Sequence, residues 1–405
     1  MALVTKNFSD IITFTRASTA TYFNSAGVLT SAATNAPRFD YNPSTLAAQG
    51  LLIEESRANA LTYSEDLTNA AWVGTNVTVS ANSTTSPAGT TTADTLIATT
   101  TNAEHTLDQS FSVTSGTTYT FTAFVKAAGL TNIGLRFTIG ALWTGGSSPQ
   151  IGFDLTAVST AVIGGSPASS SITNVGNGYY RISMSVVAVG TGTASARLQL
   201  MSGVNNTFAG NGTSGVYVWG AQVEAGAFPT SYIPTTTTAL TRAADVASVN
   251  TLSPWYNSVE GTLYGEFAVA GYAPTSSFSI PAVLSDNTNN NVISVANTNT
   301  GANLYSYGEI NTGGVSQAGF YGASGLSFGV GSVRKSAIAY AANNFAFTTQ
   351  GAAVQTDTSG TVPTVSRLYV GVGATGGSLF LNGYLRRVSY YPTRLSNAQL
   401  QAITA

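Results

Sequence analysis

"TTYTFTAFVKAA", residues 117–128, alternates polar and apolar side chains with period two and is rich in aromatic and β-branched residues. That pattern is a half-buried strand. Working outward, "GYYRISMSVVAV" (178–189), "ASARLQLMSG" (194–203) and "GVYVWGAQVEAG" (215–226) repeat it, each bounded by Gly or Asn turn signals. The later third carries the same signature in "GTLYGEFAVAGY" (261–272), "NVISVANT" (291–298), "RKSAIAYAANNFAFTTQG" (334–351), "SRLYVGVGA" (366–374) and "SLFLNGYLRRVSYYP" (378–392). Strands at this spacing predict an all-β chain of two jelly-roll-type β-sandwiches. Helix signals are short. "SEDLTNAAW" (64–72) has Ser64 as an N-cap and acids in its first turn, and "LSNAQLQAI" (395–403) reads as a terminal helix packed on the last sandwich.

Composition narrows the function. Only 8 % of residues are charged, against about 25 % in ordinary proteins, and the net charge is −2. Three lysines and dispersed arginines give no basic stripe, so nucleic acid is not an expected partner. No apolar run reaches the roughly 18 residues of a membrane span, and "MALVTKNFSDII" lacks the pattern of a secretory signal. Cysteine is absent, which removes disulfides and thiolate chemistry, and the 41 aromatic residues argue against disorder. Robustness without disulfides points to oligomerisation.

The few charges are clustered: the first 66 residues hold ten of the 32. "FPTSYIPTTTTALTRAADVAS" (228–248) is Pro- and Thr-rich and reads as a crossing between sandwiches. The expected organisation is a loop-rich N-terminal attachment segment (1–66), a first sandwich (67–228), an extended linker (229–253) and a second sandwich with the C-terminal helix (254–405). "FTRASTA" (14–20) and "LTRAADVA" (240–247) echo one another, and Arg16 and Arg242 are expected to pin extended segments by bonding to nearby carbonyls.

Several ordered blocks sit in the N-terminal segment: R-x-S-x-A-T-Y (16–22), P-R-F-D-Y (37–41), G-L-L-I-E-E (50–55) and the Ser64–Trp72 block. Together, over roughly residues 11–75, they resemble the N-terminal module of bacteriophage head spike or head fibre proteins. The segment after them is similar to carbohydrate-binding-module-like jelly rolls, and residues from about 254 look like a concanavalin A/laminin G-like sandwich. The resemblance implies a non-enzymatic virion protein, a capsid-attached fibre, spike or decoration, on the head rather than the tail. It also implies a homotrimer whose partners are the capsid or its attachment protein. A tail-associated protein recognising host polysaccharide is the rival reading.

The residues themselves say what the charges are for. A loop-rich segment of low apolar content needs other ties, and Arg–carboxylate pairs fix loop geometry bidentately. Arg16, Arg38 and Arg57 are therefore expected to clamp onto some of Asp40, Glu54 and Glu55. His105, the single histidine, is expected on a surface strand or loop with no catalytic partners. Glu260 and Glu266 share a strand face but sit roughly 20 Å apart, too far for a glycosidase pair. Glu54–Glu55, Glu65–Asp66 and Glu104–Asp108 offer no better geometry, so no enzyme, cofactor or metal is expected, and Asp286 in "LSDNTNNNV" is a thin calcium ligand set. For host-surface glycan, the aromatic contacts would come from Trp143 in a Gly/Ser-rich loop, Trp255, Tyr256, Tyr305 and Tyr307, with Trp219 left to the core.

Overall fold

A computed structural model describes residues 7–271, 277–299, 304–321 and 328–405; Tyr272, the end of one expected strand, and the first six residues lie outside them. The architecture is all-β, built from antiparallel sheets. The sequence-derived strands form where expected: Thr118–Ala128, Tyr180–Val187, Gly192–Met201 and Gly215–Ala225 in the first half, Glu260–Val269, Val292–Asn299, Arg367–Val370 and Gly383–Tyr391 in the second. The 334–351 stretch is a hairpin, Arg334–Ala341 and Phe345–Thr349, turned at Asn343 with φ 55°.

In the first sandwich, one sheet is centred on Asn102–Val113, Gly192–Met201 and Asn132–Phe137, and it packs on a sheet centred on Thr118–Ala128 and Gly215–Ala225. Period-two alternation sends Phe121, Ala123, Val125, Ile182 and Met184 inward to meet Leu135, Phe137 and Leu198. The opposite face of the second sheet is polar. Thr120, Thr122, Ser183, Ser185, Gln222 and Glu224 lie on it, all buried beneath other parts of the chain.

The second sandwich is not confined to 254–405. Thr13–Thr15 pairs with Val246–Val249, which pairs with Arg367–Val370 in one of its sheets. Ala48–Ile53 pairs with Gly383–Tyr391 and Phe39–Tyr41 with Ala48–Ile53, extending the other sheet. Phe14, Leu51 and Ile53 enter its core beside Leu263, Phe267, Ile293 and Phe347. The N-terminal segment thus supplies edge strands to both sheets, and the first sandwich is an insertion within the second. This differs from the separate 1–66 module and the strand-free 229–253 linker read from the sequence. The reason is apolar economy: a segment too poor in hydrophobic residues to fold alone buries the few it has in a neighbour's core. Gly50 shows how close the approach is, because a Cβ there would lie 2.4 Å from the Leu385 carbonyl oxygen at φ +117°.

The expected 64–72 helix is instead a chain of turns. Asp66, Asn69 and Trp72 each donate their backbone N–H to the carbonyl three residues back, while the Asp66 and Asn69 side chains accept from Thr68 and Ala71. Such local side-chain bonds compete with a helix. Ser64, read as an N-cap, instead bonds Tyr232 at 2.6 Å. The terminal helix is Asn397–Thr404, capped by Ser396 and Gln399 in a reciprocal capping box, with Leu400 buried.

Candidate functional site

The charges of the N-terminal segment converge where its strands, the 229–253 crossing and both sandwiches meet. Arg16 holds Asp245 at 3.0 Å and donates to the carbonyls of Ser18 and Ala33. Arg38 lies between two carboxylates, 2.5 Å from Asp245 and 2.8 Å from Glu54. Glu54 also accepts from the Ser231 N–H and hydroxyl at 2.7 and 2.6 Å, and Arg242 stands 3.5 Å from it as a charge contact. Arg242 itself donates to the carbonyls of Ala243 and Glu55. Arg57 pairs with Glu55 at 2.5 Å, stacks over Phe228 and donates to the Ala225 carbonyl in the first sandwich. Glu55 accepts in turn from Asn382 of the second.

Three of the six residues expected to clamp, Arg38, Glu54 and Arg16, therefore share one buried network, and Arg57 with Glu55 forms a second. Asp40 pairs with no arginine among the described residues. It accepts the Phe23 N–H at 2.6 Å and a bond from the Tyr384 hydroxyl. Sequence reasoning missed the hub, Asp245, because it assigned that residue to a linker; the signal was the 14–20/240–247 echo, whose two ends lie on paired strands.

Electrostatics follow burial and partners. Burial alone would raise the Glu54 carboxyl, but Arg242 and Arg38 outweigh it and hold it down to about 2. Asp40, whose only ties are hydrogen bonds, is pushed up by burial to about 6.

The ionisable residues weighed for catalysis are each held by other groups. His105 is fully buried rather than on a surface strand or loop: the short strand Thr207–Ala209 pairs with the neighbouring Asn102–Glu104 and lays Phe208 against the imidazole, whose ring nitrogens face the carbonyls of Asn76 and Phe208 at 2.6 and 2.9 Å. Glu104 and Asp108 are engaged by Arg197, with Arg136 also on Glu104. Glu260 accepts the Arg394 N–H and Glu266 a bond from Tyr264. Asp286 is occupied by Thr288 and Asn291, and no group of three metal-ligating residues is found among the described residues.

The five aromatic glycan contacts scatter. Trp143 is fully buried, contrary to its loop context: the turn Gly140–Leu142 folds it back so that the indole stacks on Phe137 at 4.6 Å and donates to the Thr138 carbonyl. It closes the end of the first core. Trp255 is half-buried beside Tyr390 in an apolar groove of about 400 Å³ shared with Phe8, Ile11 and Phe39. Tyr256 packs on Tyr340 and Tyr390. Tyr307 is buried against Phe278 beside a small pocket of about 180 Å³, and Tyr305 is half-buried on the same strand. Trp219 is core, as expected.

A further cleft, of about 320 Å³, lies at the junction itself. The N-terminal segment, the polar sheet face of the first sandwich, the 229–232 crossing and Tyr384 of the second sandwich line it.

No family model matches this chain, and no curated protein matches it. Among solved structures, domains LG4-5 of the mouse laminin alpha1 chain are similar, at 11 % identity and a TM-score of 0.23, over 72 % of this chain and 84 % of that one. A likeness that low carries no argument about function.

Proposed function

We propose that the chain is a non-enzymatic bacteriophage virion structural protein, a capsid-attached fibre, spike or decoration protein that displays its β-sandwiches outward. One observation carries the reading. The motif residues that resemble head-fibre modules, Arg16, Arg38 and Glu54, are buried and spent on tying the N-terminal strands to Ser231 and Asp245 of the crossing between the sandwiches. They are scaffold, not chemistry. A protein that presents surfaces needs such a rigid joint and no reacting groups. Assembly as a homotrimer belongs to the same proposal: Val315–Tyr321 is an edge strand with Val315 and Tyr321 exposed, the kind of edge that a neighbouring subunit covers.

The rival, a tail-associated receptor-binding protein, is favoured by the junction cleft with its mixture of hydroxyl, aromatic and charged groups. Peptide mass spectrometry of gradient-purified particles tests the first reading. This chain should co-purify at a stoichiometry matching head proteins. Its absence from the particles, with expression in the infected cell, would refute both virion readings.

A further inference from the structure

The junction cleft holds one cation whose bonding is incomplete. Arg181 leaves the polar face of the first sandwich, stacks over Phe124 at 5.5 Å, and donates through Nη2 to the Thr230 carbonyl at 2.7 Å and the Thr122 hydroxyl at 3.3 Å. Its Nε is buried with no hydrogen-bond partner, and no carboxylate of a described residue lies within ion-pair distance. Burial lowers its pKa, with Glu224 and Glu54 only partly offsetting this. A desolvated donor left unmet costs free energy unless something else accepts from it.

The rest of the lining says what that acceptor is. Glu54 is already neutralised by Arg38 and Arg242. That leaves Asp40 and Arg181 as one charge of each sign, so the cleft favours neither an anion nor a cation. Tyr22 and Tyr384 are half-buried, and the edge strand Ser169–Asn174 contributes exposed Thr173 and Ser171, whose hydroxyl is shared with Ser183 at 2.7 Å. At about 320 Å³ the space is at the small end of ligand clefts, which run from roughly 300 Å³. We propose that this cleft binds a single neutral, polyhydroxylated sugar ring, whose vicinal hydroxyls accept from Arg181 while the ring lies against Tyr22 and Tyr384. The proposal rests on the display reading only for where the sugar is met; the binding itself requires no particle.

The test uses the full chain and four neutral probes, the methyl glycosides of glucose, galactose, mannose and N-acetylglucosamine, with methyl glucuronide as a charged comparison, followed by saturation-transfer NMR and titration calorimetry. At least one should bind saturably, with a Kd on the order of 1 mM. Arg181→Gln should weaken it by roughly tenfold or more, as expected for losing a charged donor. Thr173→Trp, an exposed change that fills the mouth, should abolish binding with an unchanged thermal melt, which separates blockage from misfolding. Binding by none of the four, binding that survives Thr173→Trp, or preference for methyl glucuronide would each overturn the proposal. None of these outcomes alters whether the chain is found on particles.

Discussion

Replacing Asp245 by Asn should unfasten the joint between the two sandwiches. Asp245 is fully buried and faces both Arg16, at 3.0 Å, and Arg38, at 2.5 Å, while accepting the Glu54 N–H at 2.9 Å. The amide can still accept from Glu54, so local geometry is largely kept, but the charge is lost. Buried Arg16 would then lose its carboxylate, and Arg38 would be left with Glu54, which it shares with Arg242. Breaking a buried pair costs about 3–5 kcal/mol because the remaining charge stays desolvated. Glu104→Gln provides the scale. Its contacts with Arg136 and Arg197 are 3.5 and 3.2 Å long and its side chain is 40 % exposed, so its loss should cost less than about 1 kcal/mol. Guanidinium unfolding followed by tryptophan fluorescence compares the two. A wild-type-like midpoint for Asp245→Asn, or one no lower than that of Glu104→Gln, would refute the clamp argument.

Glu54 and Asp40 should give opposite pH signatures. Held at about 2 against the usual 4.5, Glu54 contributes about 3 kcal/mol above pH 4.5, lost as pH falls through about 2, and Glu54→Gln should flatten that acid limb. Asp40, raised from 3.8 to about 6, favours the fold most below pH 3.8, and that contribution is lost as pH rises through about 6; Asp40→Asn should therefore be more stable than wild type at pH 7, by up to about 3 kcal/mol, and equal to it near pH 3 in urea titrations. Trp143→Ala should cost about 3–5 kcal/mol of stability in denaturant titrations, and Trp143→Phe, which keeps a ring against Phe137, should leave glycan retention on an affinity column unchanged. A fragment of residues 57–237 should fold by circular dichroism, whereas 254–405 should not, because it lacks the strands Thr13–Thr15, Phe39–Tyr41, Ala48–Ile53 and Val246–Val249.

Period two carried most of the fold. Along Thr118–Ala128 the alternation written in the residues sends Phe121, Ala123 and Val125 to the core and the threonines to the opposite face, although both faces of that strand are buried rather than one. It was silent on connectivity, because pairing across some 230 residues, as between Thr13–Thr15 and Val246–Val249, leaves no local periodic trace. Short three-residue strands such as Leu240–Arg242 carry too few positions to show a period at all. The Ser64–Trp72 caps misled for a related reason: the groups that would have capped a helix found nearer partners in Tyr232 and in their own turns. In the site, charge scarcity pointed to clamps between the arginines and carboxylates of the N-terminal segment but left the partners open; Arg38 meets Glu54 and Arg57 meets Glu55, whereas Arg16 meets Asp245. The cleft did not, because Arg181, Asp40 and Tyr384 come from three distant parts of the sequence and meet only after the joint is closed.

Display on a virus particle is what this joint is proposed to serve. Immunogold labelling of intact particles from infected cells, viewed by negative-stain electron microscopy, tests it most directly. Gold over the capsid shell is the predicted result. Particles that carry no gold anywhere, in a preparation where the free protein labels well, would contradict it.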